Sequence, residues 1–281
     1  MNIQHIAAFS HNDVGGNPAG VLISEKMPSE STMLEVAKDV GYSETAFLTP
    51  QEGGWRIRYF APEMEVPFCG HATIASGAAL GEYSGLGTHK LFLNQGEITV
   101  QVSRSDAGVL TVTLQSPGTW SKEAPPAMLE NLLGCFNFSA DELDNRFPMR
   151  IAFAGAKHLI LVLRDKKTLS QMAYDYDQLK TIMSEEGFIT ISLLWSESKQ
   201  VFHSRNPFPP GGVYEDPATG AAAAAFAGYL RDINYACDNR LEILQGHDMG
   251  VPSRLLVEFG NSPGEGINVT GETRYLNKAD D

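Results

Sequence analysis

The chain has 281 residues, enough for a sizeable core and about two domains, with 43% hydrophobic and 20% charged side chains of an ordinary globular protein. Its net charge of −13 would repel phosphate backbones and anionic lipid, which argues against nucleic acid or a membrane surface as partner. Three cysteines, Cys69, Cys135 and Cys237, are too few and too scattered for a disulfide framework or a zinc motif.

That cysteine usage fits a reducing, cytoplasmic setting. Met1 to Ile6 shows no signal-peptide pattern, and no apolar run approaches the roughly 20 residues that span a bilayer. The expectation is a soluble cytoplasmic protein.

Asn2 to Phe9 alternates as a first strand. His11 to Gly20 is then a glycine-rich turn leading to Val21-Leu22-Ile23, without the spacing of a nucleotide loop. Ser29 to Gly41 is predicted helical, with Met33, Val36, Ala37 and Val40 on one face, Thr32-x-x-Glu35 as a capping box and Gly41 as terminator. Tyr42 to Leu48 reads as a turn and strand, and Trp55 to Phe60 as another strand stopped by Pro62. A helix of small residues from Gly70 to Tyr83 follows, then strands at His89–Leu93, Glu97–Val102 and Val109–Leu114. Pro125-Pro126 marks a connection between halves.

The second half repeats the pattern. Strands are predicted at Met149–Phe153 and His158–Leu163, a helix at Tyr176–Glu186 ending at Gly187, and strands at Phe188–Trp195 and Val201–Ser204. An alanine-rich helix from Ala218 to Leu230 precedes strands at Leu241–Leu244, Leu255–Phe259 and Ile267–Val269. Gly41 with Gly187, Pro62 with Pro207, and Cys69 with Asp216 recur in one order at nearly one spacing, so the chain reads as a duplicated α+β unit. In that pairing Glu44 falls opposite Thr190, and His71 opposite Ala218 or Thr219. One half then carries a strong base that the other lacks.

Four residues have chemistry to weigh. Glu44 opens a buried strand, and a carboxylate losing solvation there is suited to general acid–base work; an exposed strand-start glutamate is the plain alternative. Cys69, before a helix N-terminus, is either a thiolate base or a small buried hydrophobe. His71 is a substrate contact or a structural hydrogen bond. The other histidines, His5, His11, His89, His158, His203 and His247, have no ligand spacing to it, so no metal site is expected. Asp216 before Pro217 is either a substrate contact or a helix cap.

Taken together, Gly16-Asn17-Pro18-Ala19-Gly20, Ser43-Glu44-Thr45-Ala46-Phe47, Cys69-Gly70-His71-Ala72-Thr73 and Glu215-Asp216-Pro217-Ala218-Thr219-Gly220 resemble the phenazine-biosynthesis PhzF-like isomerases of the diaminopimelate epimerase-like fold. The resemblance covers essentially the whole chain. It implies an α+β fold of two pseudo-symmetric lobes, each a curled, mostly antiparallel, barrel-like sheet around a central helix, with the active site in the cleft between them. The lobes are expected over residues 1–115, with a C-terminal strand from about 265–281, and over 116–264.

The resemblance also implies a homodimer, no cofactor and no metal. Glu44 takes the place of the family's proton-shuttling glutamate, and His71 and Asp216 the places of its substrate-contacting histidine and aspartate. Asn17, Cys69 and Gly70, with the Thr219, Gly220 and Ala221 amides, fall at substrate-binding positions, the amides holding a carboxylate. The reading is a cofactor-independent isomerase of a small carboxylate-bearing substrate. An amino-acid racemase using Cys69, or a binding protein without turnover, are the alternatives.

Overall fold

The computed structural model describes residues 2–105 and 107–276. The chain forms two compact units, unit 1 of Met1–Gln115, Val251–Arg254 and Thr270–Asp281, and unit 2 of Ser116–Gly250 and Leu255–Val269. The far end of the C-terminal strand expected near 265–281 lies outside the described residues.

Unit 1 contains β1 (Gln4–Ser10), β2 (Asn17–Ile23), α1 (Glu30–Val40), β3 (Thr45–Gln51), β4 (Gly54–Phe60), β5 (Glu65–Val66), α2 (Gly70–Ser84), β6 (Gly87–Phe92), β7 (Glu97–Arg104) and β8 (Leu110–Gln115). Unit 2 contains β9 (Trp120–Glu123), α3 (Pro126–Phe136), β10 (Arg150–Phe153), β11 (Lys157–Leu163), α4 (Lys166–Ser170), α5 (Tyr176–Glu186), β12 (Thr190–Ser196), β13 (Val201–Pro207), β14 (Glu215–Asp216), α6 (Gly220–Asp232) and β15 (Arg240–Gln245). The strands β16 (Ser253–Glu258) and β17 (Asn268–Tyr275) have residues in both units.

In unit 1, β1, β2, β3, β4, β6, β7, β8 and β17 pair in that order, and β17 returns to β1, closing a ring. Most pairs are antiparallel; β2–β3 and β4–β6 are parallel. The ring encloses α2, whose residues from His71 to Gly81 are all buried. Its side chains explain this, since alanine, glycine, serine and threonine let surrounding strands approach a helix with no polar face to solvate. A Cβ on Gly77 would lie 2.5 Å from Val112 Cγ1. Gly77→Val is therefore expected to cost about 1–3 kcal/mol through overpacking, more than the roughly 0.5 kcal/mol relieved by replacing a helical glycine. A lowered urea midpoint with unchanged slope would show it; an unchanged midpoint would refute it.

The helix α1 covers the ring's outer face, where Met33 and Ala37 pack on Leu22, Phe47 and Phe60. Its N-cap is Ser29, whose hydroxyl accepts from Thr32 N at 3.2 Å, so the cap begins three residues earlier than the expected Thr32 box. The glycine-rich stretch also differs from expectation: residues from Asn17 onward already belong to β2, pairing Asn17 with Ala8.

In unit 2, β9, β10, β11, β12, β13 and β15 form one sheet. The helix α6 lies against β9, β10 and β11. A separate core holds Leu132 and Phe136 of α3, Leu169 of α4, and Leu179 and Met183 of α5 against Leu159, Leu161, Ile191 and Leu193. The helix α3 occupies what the sequence presents as a connection, because Pro126 sits at its first turn, where a missing N–H costs nothing.

Register gives the internal repeat its correct pairing. Ala46 opposes Tyr59 as Ser192 is placed to oppose Asn206, since Leu193 pairs with Arg205. Glu44 and Thr190 therefore occupy equivalent inward positions. Tyr59 opposes Val66 as Asn206 opposes Asp216. The counterpart of Asp216 is thus Val66 rather than Cys69. Cys69 and Thr219 are the two N-caps, which makes His71 equivalent to Ala221. Pro207 likewise matches Phe60, not Pro62, because each pairs with the glutamate opening the short strand.

Candidate active site

Unit 1 places Glu44, Cys69 and His71 in one cluster. Glu44 directly precedes β3, and its carbonyl accepts from Gly20 N at 3.4 Å, holding that backbone beside β2. Inward alternation with Ala46 and Leu48 directs it to the mouth of α2. Cys69 has an extended backbone, φ −140° and ψ 119°, and its carbonyl accepts from the Thr73 hydroxyl at 2.6 Å. Tyr59 OH lies 2.7 Å from that hydroxyl. Burial pushes the Tyr59 phenol far above its ordinary pKa, so it is a neutral part of this support.

His71 stands between the other two. Its Nε2 is 3.4 Å from Glu44 Oε2 and 3.4 Å from Ser43 Oγ, while its Nδ1 is 3.3 Å from Cys69 Sγ. The two ring nitrogens thus face different neighbours, Nε2 the Glu44 carboxylate and the Ser43 hydroxyl, Nδ1 the Cys69 thiol. The Glu44 side chain is 14% exposed and that of His71 is 7% exposed, so ligand can reach a largely desolvated carboxylate. The first amides of α2, beginning at Gly70, have no partner within the helix and face the same end. Asn17, also buried, opens β2 on the inward face.

The donor atoms of Glu44, Cys69 and His71 all lie within 4.8 Å of one another. The dispersal of histidines along the chain gave no sign of this, because only one histidine is used. Thiol and carboxylate supply the rest.

Unit 2 builds a different arrangement at the corresponding helix mouth. Asp216 lies in β14, not at the cap, and accepts a hydrogen bond from the hydroxyl of the actual N-cap, Thr219. The helix begins at Gly220, with Ala221 next. Gln245, the last residue of β15, ties these parts together. Its Nε2 donates to Asp216 O at 2.6 Å and to Thr219 Oγ1 at 3.0 Å, and its Oε1 accepts from Thr219 N at 3.1 Å. The sequence carries a signal for it: Leu241, Ile243 and Gln245 share one buried side of an alternating strand.

Beside Asp216, Glu215 forms a two-pronged pair with Arg205, whose Nε is 2.9 Å from Glu215 Oε2. Sequence reading ended that strand at Ser204 and missed the pair.

The position equivalent to Glu44 is held by Thr190 in a fully buried polar network. His158 Nδ1 lies 2.8 Å from Thr190 Oγ1, and Asn206 Oδ1 accepts from Ser192 Oγ at 2.8 Å and Thr190 Oγ1 at 3.3 Å. Burial lowers the His158 pKa to about 3, from an ordinary 6.5. The unfolded chain takes up this proton below about 6.5 and the folded chain not until about 3. Stability should therefore fall as pH falls through that window, by up to about 1.4 kcal/mol per pH unit. Urea midpoints for the parent and His158→Gln should diverge in slope below about pH 6.5, with the variant flatter; parallel curves would refute the assignment.

A carboxylate, an imidazole and a thiol gathered at a buried helix N-terminus are the parts of a proton-transfer enzyme. The family model for phenazine biosynthesis-like proteins, PhzC-PhzF, matches residues 6–279. An isomerase of Mesorhizobium japonicum whose reaction is uncharacterised is 32% identical, over 89% of this chain and 88% of its own. The trans-2,3-dihydro-3-hydroxyanthranilate isomerase of Pseudomonas aeruginosa is 31% identical, over 94% of this chain and 91% of its own. Among solved structures, the PhzF-family phenazine biosynthesis protein of Bacillus anthracis matches with a TM-score of 0.85 at 22% identity, covering 98% of this chain and 96% of its own. The chain belongs to the PhzC-PhzF family and is an isomerase.

Proposed function

We propose that the enzyme moves a proton on a small, carboxylate-bearing substrate without a cofactor, with Glu44 as the single acid–base group. The observation that carries this is the position of the Glu44 carboxylate, largely desolvated and 3.4 Å from His71 Nε2 at the mouth of a buried helix. Glu44 removes a proton from carbon beside an activating group and returns it elsewhere on the same molecule. His71 and the first amides of α2 offset the negative charge that develops on the substrate.

The remaining roles rest on the family resemblance. Asp216 contacts substrate, and Thr219, Gly220 and Ala221 hold its carboxylate through amides at the start of α6. Asn17, Cys69 and Gly70 complete the binding residues. Homodimeric assembly and a cytoplasmic location belong to the same proposal. A racemase using two thiols is disfavoured, because the residue equivalent to Cys69 is Thr219.

The test is solvent deuterium incorporation. The first compound to try is trans-2,3-dihydro-3-hydroxyanthranilate, the substrate in the relative's name. Glu44→Gln should lose exchange while Cys69→Ser keeps it; the reverse pattern would transfer the role to the thiol.

A further inference from the structure

We propose that Gln245 is a positioning residue for substrate binding. It holds Asp216 and the first turn of α6 in the arrangement that takes the substrate. Because it uses the Thr219 amide itself, it leaves the substrate carboxylate to the amides of Gly220 and Ala221. This rests on the binding roles proposed for Asp216 and the start of α6.

Strand β13 brings the parts together, since Ser204 pairs with Gln245 on β15 and Asn206 pairs with Asp216 on β14. Both partners are buried, Gln245 at 2% exposure and Asp216 at 8%. Neighbours fix the orientation of the Gln245 amide. The Thr219 N–H can only donate and the Asp216 carbonyl can only accept, so Oε1 faces the first, at 3.1 Å, and Nε2 the second, at 2.6 Å. The other Nε2 hydrogen goes to Thr219 Oγ1 at 3.0 Å. Accepting there, the Thr219 hydroxyl turns its own hydrogen to Asp216 Oδ2. One buried side chain thus sets the backbone at Asp216 and Thr219 and, through a hydroxyl, the Asp216 carboxylate. Pro217, inside this turn, has no N–H to help. Thr219, with φ −113° and ψ 86°, lies outside the helix, whose first turn presents Gly220 N and Ala221 N without partners within the helix.

The test uses trans-2,3-dihydro-3-hydroxyanthranilate. Gln245→Glu keeps the shape and the acceptor for Thr219 N but, ionised, donates nothing; Gln245→Met keeps the bulk and loses all three bonds. Each should raise KM for deuterium exchange, and the calorimetric Kd, by about 10–100-fold, the usual cost of a buried polar group left unpaired. Meanwhile kcat should stay within about threefold of the parent. A residue that only stabilised the fold would lower the folded fraction, and so kcat, with KM unchanged. Exchange of the Thr219 amide with solvent, followed by NMR, should be at least about tenfold faster in Gln245→Met, with the α5 amides unaffected. Gln245→Glu, which retains the Thr219 bond, carries the kinetic comparison should Gln245→Met not fold.

Parental KM in both Gln245 variants, with KM raised in Asp216→Asn, would overturn the role of Gln245 and leave the site standing. Parental KM in all three would remove substrate from the start of α6, and this inference with it. A parent inert toward this compound would refute the substrate alone; equal Thr219 exchange in parent and Gln245→Met would then overturn the inference, and faster exchange in the variant would uphold it.

Discussion

Replacing Glu44 with glutamine is expected to lower substrate deuterium exchange by about 10²–10⁴-fold, the usual contribution of a positioned general acid–base group. Substrate affinity should stay nearly the same. The amide has the shape of the carboxylate, and its oxygen can still accept from His71 Nε2, now 3.4 Å from the Glu44 carboxylate. It cannot take a proton from carbon and hold it. Burial at the strand start leaves little room for water to act instead, so chemical rescue is not expected in this variant. The measurement is exchange into substrate by mass spectrometry, with binding followed separately by calorimetry. Exchange at the parent rate with normal binding would falsify the assignment of Glu44. Loss of binding and exchange together would point to a contact residue instead of a base.

The largest stability effect is expected at Glu215. Its side chain is 7% exposed and that of its partner Arg205 is 10% exposed. Burial disfavours the Arg205 charge, yet the hydrogen bonds and charge of Glu215 more than offset it and raise the arginine pKa above its ordinary value. Arg205 also donates to Ser170 O at 3.0 Å, tying the end of α4 to β13. Glu215→Ala leaves a buried guanidinium without its counter-charge, at an expected cost of about 3–5 kcal/mol. That is a large share of the roughly 5–15 kcal/mol by which a folded domain is stable. Converting both residues to apolar ones of similar size, Arg205→Met with Glu215→Leu, should recover most of the loss, because no charge is then stranded. Urea denaturation of the three proteins decides it. A loss below about 1 kcal/mol for Glu215→Ala would place the pair among solvent-screened bridges.

Asp216 follows Glu215 directly, so the two variants also report on different things. Glu44→Gln addresses chemistry in unit 1 with the fold intact. Glu215→Ala addresses the scaffold that holds Asp216 and the start of α6. A drop in exchange that tracks the unfolded fraction belongs to the second kind.

Local pattern was sufficient wherever an element's identity follows from short-range chemistry. The α5 boundaries, Tyr176 to Glu186, are those expected from periodicity and a terminal glycine, and Gly187 adopts the left-handed φ of 69° that favours glycine. The small-residue composition of α2 and α6 announces burial, because such helices have no other way to be stable in water. The sequence also exposed Glu44, Cys69 and His71 as reactive types, the last two at one helix start, and it placed Glu44 opposite Thr190.

Tertiary structure alone decided what depends on strand register and on approach across the chain. A three-residue difference separates Cys69–Asp216 from the pairing that the strands impose, Cys69–Thr219. Sequence landmarks such as glycine and proline mark breaks without measuring the residues inserted between them, whereas backbone pairing counts each one. Gln245 and Arg205 escaped notice for the same reason: neither carries a motif, and each matters through a partner at least ten positions away. The Cys69–His71–Glu44 cluster shows both sides. Its residue types were legible from the chain, but their convergence within 4.8 Å required β3 to run beside the mouth of α2, a placement fixed by the ring of strands packed around that helix.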